Sequence, residues 1–471
     1  MAAAAALVAA VAALAQPAGF SAREQQQGAQ VRQQILQQFG GEMTGPLADY
    51  VRGVASRVVV HTDPQVRAQD YKVTVLDSPI PNAMATPGGY LYVTRGLLSL
   101  MNDEAELASV LGHEAGHVAA RHSARTQRRA TLATVLGAAA TILTGSDLVA
   151  MGSQLGAGLA LGQFSQKQEF EADTLGLRYM TAAGYDPHAT PTMLAALERQ
   201  PLVEGRQATE RYGAASWFST HPVTSERVRR TEQLASQTGI APGTRDRRRE
   251  AFLNAIDGMV WGDDPAQGII SGPSFRHGII GVGFDAPAGF QLQNSPTAVA
   301  GRAPDGSAFR FVGASLRPGQ SLDDIANQAW ASLLNNQVPR YERTATRVNG
   351  IETLVTRARV GTQRGSVDAG VTVYRWSNDQ AFVVVTQAQA GRLQTLDPLL
   401  TSVRRLSQAE ADAARRGKRV RVVTVRQGDT VQSLAQRMAF PDNQLTRFLA
   451  LNGIANRPLR PGERLKIITD G

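Results

Sequence analysis

The 471-residue chain contains no cysteine. Disulfides, thiolate catalysis, cysteine-ligated zinc and a lipidated N-terminal cysteine are therefore excluded. Aromatic residues are few, at 6%. No stretch interleaves aromatics with basic residues as a nucleic-acid module would, so the net charge of +9 does not assign a nucleic-acid partner. Dispersed positive charge suits a protein working near anionic lipids or cell-wall polymers equally well. Long apolar runs are also missing. Thr131–Leu143 and Leu148–Leu161 are rich in Ala and Gly, but each falls short of the ~18–20 residues that span a bilayer. They read either as a buried helical hairpin or as a hairpin making peripheral membrane contact. The length implies roughly two to four domains, and 43% hydrophobic residues supply enough apolar surface for real cores.

The first fifteen residues, Met1–Ala15, are almost wholly Ala, Val and Leu, and Ala13-Leu14-Ala15 precedes Gln16. That small-x-small pattern after an apolar run reads as a secretory signal over residues 1–20, and it places the protein in the periplasm or cell envelope.

Histidine is scarce, at 7 residues, yet two of them stand four apart in His113-Glu114-Ala115-Gly116-His117. The motif lies in Asp103–Ser123, which reads as a helix with Asp103 as N-cap and Glu106 as its capping-box partner. Side chains at i and i+4 share a face, with Cβ atoms about 5–6 Å apart, so both imidazoles reach one zinc ion. Glu114 points about 100° away, where a general base acting on water belongs.

A third ligand is needed. Glu169-Phe-Glu-Ala-Asp173 falls on a second helix ending near Gly184. Glu169 would complete a His2Glu set with one position open. Asp173, on the same face, would accept the free ring N–H of a ligand histidine. Upstream, Tyr71–Leu76, Asn82–Thr86 and Gly89–Thr94 read as strands, with Gly88-Gly89 as a turn. A strand edge beside a zinc helix can pair with an extended peptide and lay its scissile bond over the metal. Asn82, Ala83, Gly89, Tyr90 and Leu91 are the candidate substrate contacts. His221-Pro222 opens a charged helix over Val223–Gln237, an ordinary place for Pro.

Taken in order, Asn82-Ala83, Gly88–Thr94, His113–His117, Glu169–Asp173 and Ser219–Arg227 resemble the gluzincin metallopeptidases of peptidase family M48. The branch is that of CAAX prenyl proteases, HtpX-type proteases and periplasmic BepA-like protease-chaperones. The resemblance covers about Val31–Leu234. It implies that His113, His117 and Glu169 bind one zinc per chain, that Glu114 is the base, and that His221 lies near the metal. His221 would be either a lid ligand that closes the site or a stabiliser of the transition state. The long membrane spans of the prenyl proteases are absent, which favours the periplasmic branch.

Beyond Arg245–Glu250, read as a linker, residues 251–406 carry no secure motif. His277–Phe284, Ala308–Ser315, Val348–Val360, Ser366–Trp376 and Gln380–Ala388 read as strands, and Ser321–Asn336 and Leu393–Val403 as helices. This suggests a separate α+β domain, weakly resembling a PsbP/DcrB-like sandwich, with Trp330 and Trp376 in its core. Residues 407–419 read as a second linker. Val420–Ile468 reads strand, helix, helix, strand, with Asp429 capping the first helix and Asn452-Gly453 ending the second. It resembles a LysM domain over its whole length. That implies peptidoglycan binding, with Gly428, Asp429, Thr430, Asn452, Gly453 and Ile454 as candidate glycan contacts.

The expectation is an α+β multidomain protein: a mainly helical zincin metallopeptidase domain over 21–245 with a small sheet, a middle α+β domain, and a C-terminal βααβ LysM domain. Its expected function is that of an exported zinc metalloendopeptidase acting on unfolded or misfolded envelope proteins and tethered to peptidoglycan. The alternatives are a peptidoglycan hydrolase and a periplasmic chaperone or assembly factor with secondary protease activity.

Overall fold

A computed structural model describes residues 19–63, 66–126, 164–205, 216–217, 221–362 and 365–471. The signal-like run Met1–Ala15 and the apolar stretches of 131–161 lie outside the described residues. Among those described, no helix is long and apolar enough to cross a membrane.

Two helices open the chain, α1 (Ala22–Gln38) and α2 (Pro46–Val59). A three-stranded sheet follows: β1 (Lys72–Leu76), β2 (Ala83–Thr86) and β3 (Tyr90–Thr94), in the order β1-β3-β2. β3 is parallel to β1 and antiparallel to β2. The central strand is therefore β3, and the edge predicted for Gly89–Leu91 belongs to β2. Gly88 and Gly89 do make the turn, both at positive φ, 82° and 79°. The short α3 (Arg95–Leu100) leads to α4 (Glu104–Ala119). Asp103 caps α4 by accepting from Glu106 N at 2.9 Å. Glu106 reaches back one residue further than a capping box does, accepting from Asn102 N at 2.7 Å.

After α4 come α5 (Gln166–Ala182), α6 (Ala189–Glu198), α7 (Gln200–Glu204), α8 (Ser225–Gln237) and α9 (Arg249–Ile256). Arg245–Glu250 is not a free linker, because its guanidinium groups meet carbonyl ends and carboxylates of the helical core. Arg245 donates to Thr181 O at 2.6 Å, Arg247 pairs with Asp103 at 2.8 Å, and Arg249 donates to Asn102 O at 2.7 Å. Phe252, Leu253 and Ile256 of α9 are fully buried in the same core as α2 and α4.

The middle of the chain forms a seven-stranded antiparallel sheet of β8 (Gln291–Ser295), β9 (Ala298–Arg302), β10 (Ala308–Ser315), β11 (Glu342–Val348), β12 (Ile351–Thr362), β13 (Gly365–Arg375) and β14 (Gln380–Gln389), in the order β11-β12-β13-β14-β10-β9-β8. A four-stranded sheet of β5 (Ile269–Ser271), β6 (Ser274–His277), β7 (Val282–Asp285) and β15 (Arg404–Arg405) has the order β15-β7-β6-β5. Period-two alternation splits the long strands between two cores. Val371, Val373 and Val383 face Trp330 and Ile325 of α10 (Leu322–Leu333). Tyr374, Phe382 and Val384 face Phe284, Phe309 and Trp376. The single strand expected at His277–Phe284 is a hairpin, β6 (Ser274–His277) and β7 (Val282–Asp285), because Gly281 turns the chain at φ 76°. The expected helix at Leu393–Val403 is a 3-10 turn, Leu393–Leu396, running into α11 (Asp397–Ser402).

The second expected linker is also structured. Ser407 and Glu410 form a capping box for α12 (Gln408–Arg416), and β16 (Lys418–Thr424) starts directly after Gly417. Next come α13 (Val431–Ala435), α14 (Gln444–Asn452) and β17 (Arg464–Asp470). Thr430 rather than Asp429 caps α13, since Asp429 is turned back onto Arg426 N at 2.7 Å. Gly453, in the left-handed region at φ 62°, ends α14 as expected. The two-residue β4 (Val260–Trp261) adds to β16, giving the order β17-β16-β4.

The C-terminal unit shares one apolar core with the helical unit. Val420, Leu434, Phe448, Leu451, Leu465 and Ile467 cluster with Leu97, Leu100, Met101, Val203 and Phe252. Lys466 sits at this junction, fully buried, its Nζ donating to Ser99 O at 2.8 Å and Met101 O at 2.6 Å. Burial pushes its pKa down to about 7, against the pull of Glu106 and Asp103. The unfolded lysine titrates at 10.5. Between those values the unfolded chain holds a proton that the folded chain has released, so stability rises with pH across the window. The thermal midpoint of the wild type should gain on that of Lys466→Met from pH 7 to 10. Parallel curves would refute a buried titrating amine.

Candidate metal centre

The site depends first on how closely two helices approach. A Cβ on Gly176 of α5 would lie 2.6 Å from His113 N, and one on Gly112 would lie 2.9 Å from Gly176 O. Only glycine permits that backbone contact, and the contact brings Glu169 of α5 against the histidines of α4. Gly176→Ala should wedge the helices apart at a cost of about 1–3 kcal/mol, the usual effect of overpacking. A lower melting midpoint and zinc loss at lower chelator concentration would register it; unchanged zinc retention would argue against it.

Four side chains converge. His113, His117, Glu169 and His221 are all buried, and each offers one ligand atom within 4.8 Å of the others. His113 Nε2 is 3.0 Å from His117 Nε2 and 3.4 Å from His221 Nδ1. His117 Nε2 is 3.4 Å from Glu169 Oε1, which lies 2.9 Å from His221 Nδ1. Zinc with bonds of about 2.0–2.1 Å has ligand–ligand edges of about 3.4 Å in a tetrahedron, so the donor set fits zinc in both type and spacing.

Outer partners hold those donors. His113 Nδ1 faces Asp173 Oδ1 at 2.9 Å. Arg227 of α8, itself buried, grips Asp173 through Nε and Nη2 at 2.8 and 2.7 Å and reaches Glu169 Oε2 through Nη1 at 2.8 Å. Burial disfavours the Asp173 carboxylate, but Arg227 and the His113 hydrogen bond outweigh it and hold the group well below the usual range. Glu169 is likewise lowered, with burial opposed chiefly by His221, then by His113 and Arg227. On the other side, His122 Nδ1 lies 2.8 Å from His117 Nδ1, and its Nε2 lies 3.2 Å from Glu171 Oε2. α4 stops short of the predicted Ser123 because Arg121 takes a left-handed turn at φ 51°. That turn carries His122 back onto His117. Burial, followed by the neighbouring imidazoles, keeps His117 well below its ordinary pKa and so in the neutral form a ligand requires.

Glu114 is fully buried. Its Oε1 accepts from Trp217 Nε1 at 3.4 Å and lies 3.6 Å from His221 Nε2. Its Oε2 has no hydrogen-bond partner among the described residues. Trp217 stacks on the His221 ring, centroids 4.9 Å apart, and its backbone N–H donates to Pro81 O at 3.0 Å. Burial pushes the His221 pKa down, but the Glu169 and Glu114 carboxylates overcome it and raise the value.

Residues 47–235 match the model of peptidase family M48, and residues 423–467 match the LysM domain. The chain carries an M48 peptidase domain and a LysM domain. It is 33% identical over 226 residues to the mitochondrial metalloendopeptidase OMA1 of Schizosaccharomyces pombe, covering 46% of this chain and 63% of that one. It is 30% identical over 200 residues to the beta-barrel assembly-enhancing protease of Escherichia coli K12, covering 41% and 39%. It is 34% identical over 162 residues to the metalloprotease LoiP of the same strain, covering 34% and 60%. The chain thus spans less than two thirds of each of these relatives.

Within the M48 domain, the expected substrate contacts divide. Ala83 opens the edge strand β2, and Asn82 immediately precedes it. Gly89, Tyr90 and Leu91 do not offer an edge: β3 is paired on both sides, and Gly89 O already accepts from Lys72 N at 2.8 Å. The LysM contacts divide too. Gly428 and Thr430 are exposed and Asp429 is half-buried. Asn452 is buried, and its side chain is spent on Phe448 O, Lys466 O and Lys466 N, so it is a fold residue and not a glycan contact. Gly453 lies against the Arg199 guanidinium of the M48 domain, and Ile454 packs on the shared core. Sequence reasoning missed His122, Trp217 and the role of Arg227. For His122 the signal was available, as a further histidine nine residues after His113.

Proposed function

We propose that this protein is a zinc-dependent metalloendopeptidase of the cell envelope, cutting unfolded or misfolded envelope proteins beside peptidoglycan. The observation that carries the reading is the four-donor cluster with buried Glu114 at its side. Zinc in such a site polarises a scissile carbonyl and acidifies water. His113 and His117, through Nε2, and Glu169 would hold it. Asp173 and His122 fix the two imidazole planes, and Arg227 keeps both α5 carboxylates ionised. Glu114 takes the proton of the attacking water and passes it to the leaving amine. The likeness to a bacterial protease named for enhancing beta-barrel assembly, the LysM domain and the signal-like Met1–Ala15 support the location. The test is degradation of an unfolded protein such as casein by the purified chain, abolished by chelation and restored by zinc, with sacculi left intact. Solubilised sacculi with undegraded casein would replace this reading with wall hydrolysis.

His221 is the regulatory element of this reading. A closed coordination set is the mark of structural zinc and an open one of catalytic zinc, and His221 completes the fourth corner. In this reading it acts as a lid ligand, stacked on Trp217. His221→Ala should raise basal proteolysis and produce self-cleavage. A fall of about 10²–10³, the cost of one lost oxyanion donor, would assign it to transition-state stabilisation instead.

A further inference from the structure

A cavity of about 50 Å³ lies between the start of α1, the end of β2 and the last turn of α4. His117, a proposed zinc ligand, forms part of its wall. We infer that this cavity is a specificity subsite taking one short, uncharged side chain of the substrate, next to the bond that is cut. The inference rests on the peptidase reading above.

Position supports it first. β2 is an edge strand, paired with β3 on one side only among the described residues. A peptide laid along the open edge presents side chains alternately to opposite faces. One face at the Ala85 end of β2 is this cavity, with His117 beside it.

The wall is built and fixed. A Cβ on Gly28 of α1 would meet Pro87 O at 2.2 Å, and one on Gly88 would meet Glu24 O at 2.7 Å. α1 is thus seated directly on the β2–β3 turn. Its start is tied by the capping box, in which Glu24 Oε2 accepts from Ser21 N and Oγ at 2.9 and 2.7 Å, and by Phe20 set edge-on to Tyr71 at 5.1 Å. Neither Phe20 nor α1 lies within the residues that match the M48 model, 47–235. The subsite is therefore completed by a segment outside the matched domain.

Size and charge give the preference. A volume of this size holds about three to five water-sized groups, the scale of Ala, Ser, Thr or Val. Phe20, Ala85 and Val118 supply apolar surface. Glu24 and Arg121 lie 3.7 Å apart in the same wall and offset each other's charge. A charged side chain entering there would be desolvated without a partner of its own, which is costly.

The experiment profiles a defined peptide library by mass spectrometry, using the zinc-loaded full chain as wild type, Arg121→Gly and Ala85→Val. Arg121 stands at φ 51°, a conformation glycine adopts freely, so that variant opens the cavity without straining the turn. Ala85→Val fills it from the opposite wall with a residue suited to strands. The wild type should prefer short uncharged residues over Phe-sized ones at one position beside the cut by about 10–200-fold. Arg121→Gly should relax that preference towards larger residues, and Ala85→Val should narrow it towards Gly and Ala. The same cleavage profile in all three proteins would overturn the subsite while leaving the peptidase reading in place. No cleavage of any peptide by the zinc-loaded chain, whether wild type or carrying His221→Ala, would overturn both.

Discussion

Removing residues 418–471 is expected to unfold the M48 domain, and not merely to remove the LysM domain from it. The LysM strands and helices close the same apolar core as α4, α9 and the short α3. Without them Leu100, Met101, Val203, Phe252, Leu253 and Ile256 lose their cover. Exposing a buried side chain of this size costs about 1.5–3 kcal/mol, so a handful equals the usual stability margin of about 5–15 kcal/mol. Polar groups would also be stranded. Arg249 bridges Asn102 O and Arg464 O at 2.7 and 3.0 Å, and Arg447 donates to Val203 O at 2.6 Å. Asn102 immediately precedes the N-cap of the zinc helix, so the damage reaches the metal site. The truncated chain should be aggregated or protease-sensitive and should hold no stoichiometric zinc. Alteration of the loop Gly428–Thr430 in the full chain should reduce sedimentation with peptidoglycan and cost about 0.5–2 kcal/mol through the Thr430 cap, with zinc content and activity kept. A soluble truncation with full zinc content and full activity would make the LysM domain a detachable anchor.

Much of the site was legible because its chemistry is local. The capped helix around His113–His117 and the i, i+4 pair Glu169 and Asp173 each follow from spacing on one helix. What was not legible depends on contacts between distant segments. His122 reaches His117 only because Arg121 adopts a left-handed turn, which arginine does not advertise. Arg245–Arg249 has the composition of a solvated linker, yet its guanidiniums find carbonyl groups at helix ends. The same holds for β17, where Lys466 interrupts an apolar run. Read alone, it marks a solvent face; in the fold it is covered on both sides and donates to α3. Strand order was likewise invisible, because Tyr90–Thr94 is apolar enough for either an edge or a centre, and the parallel pairing with Lys72–Leu76 puts it in the centre.

Glu114→Gln is expected to keep the metal and the fold while turnover falls by at least about 10²–10⁴-fold, the usual contribution of a positioned acid–base group. Glutamine has the shape of glutamate and still offers an oxygen to Trp217 Nε1, now at 3.4 Å from Glu114 Oε1. It cannot accept the proton of water. The donors His113, His117 and Glu169 are untouched, so zinc content should stay at one per chain. The contrast with the ligands is the diagnostic part: His113→Ala, His117→Ala or Glu169→Ala should lose both zinc and activity. His221 complicates a measurement on the wild-type background alone, because on the lid reading a shut site has little activity to lose. The comparison is therefore made also in His221→Ala, where the lid reading predicts a higher starting rate and the same proportional loss on adding Glu114→Gln. Casein degradation by Glu114→Gln within about threefold of its parent, with zinc in place, would remove Glu114 from the role of base. The proton would then have to pass through another group beside the cluster.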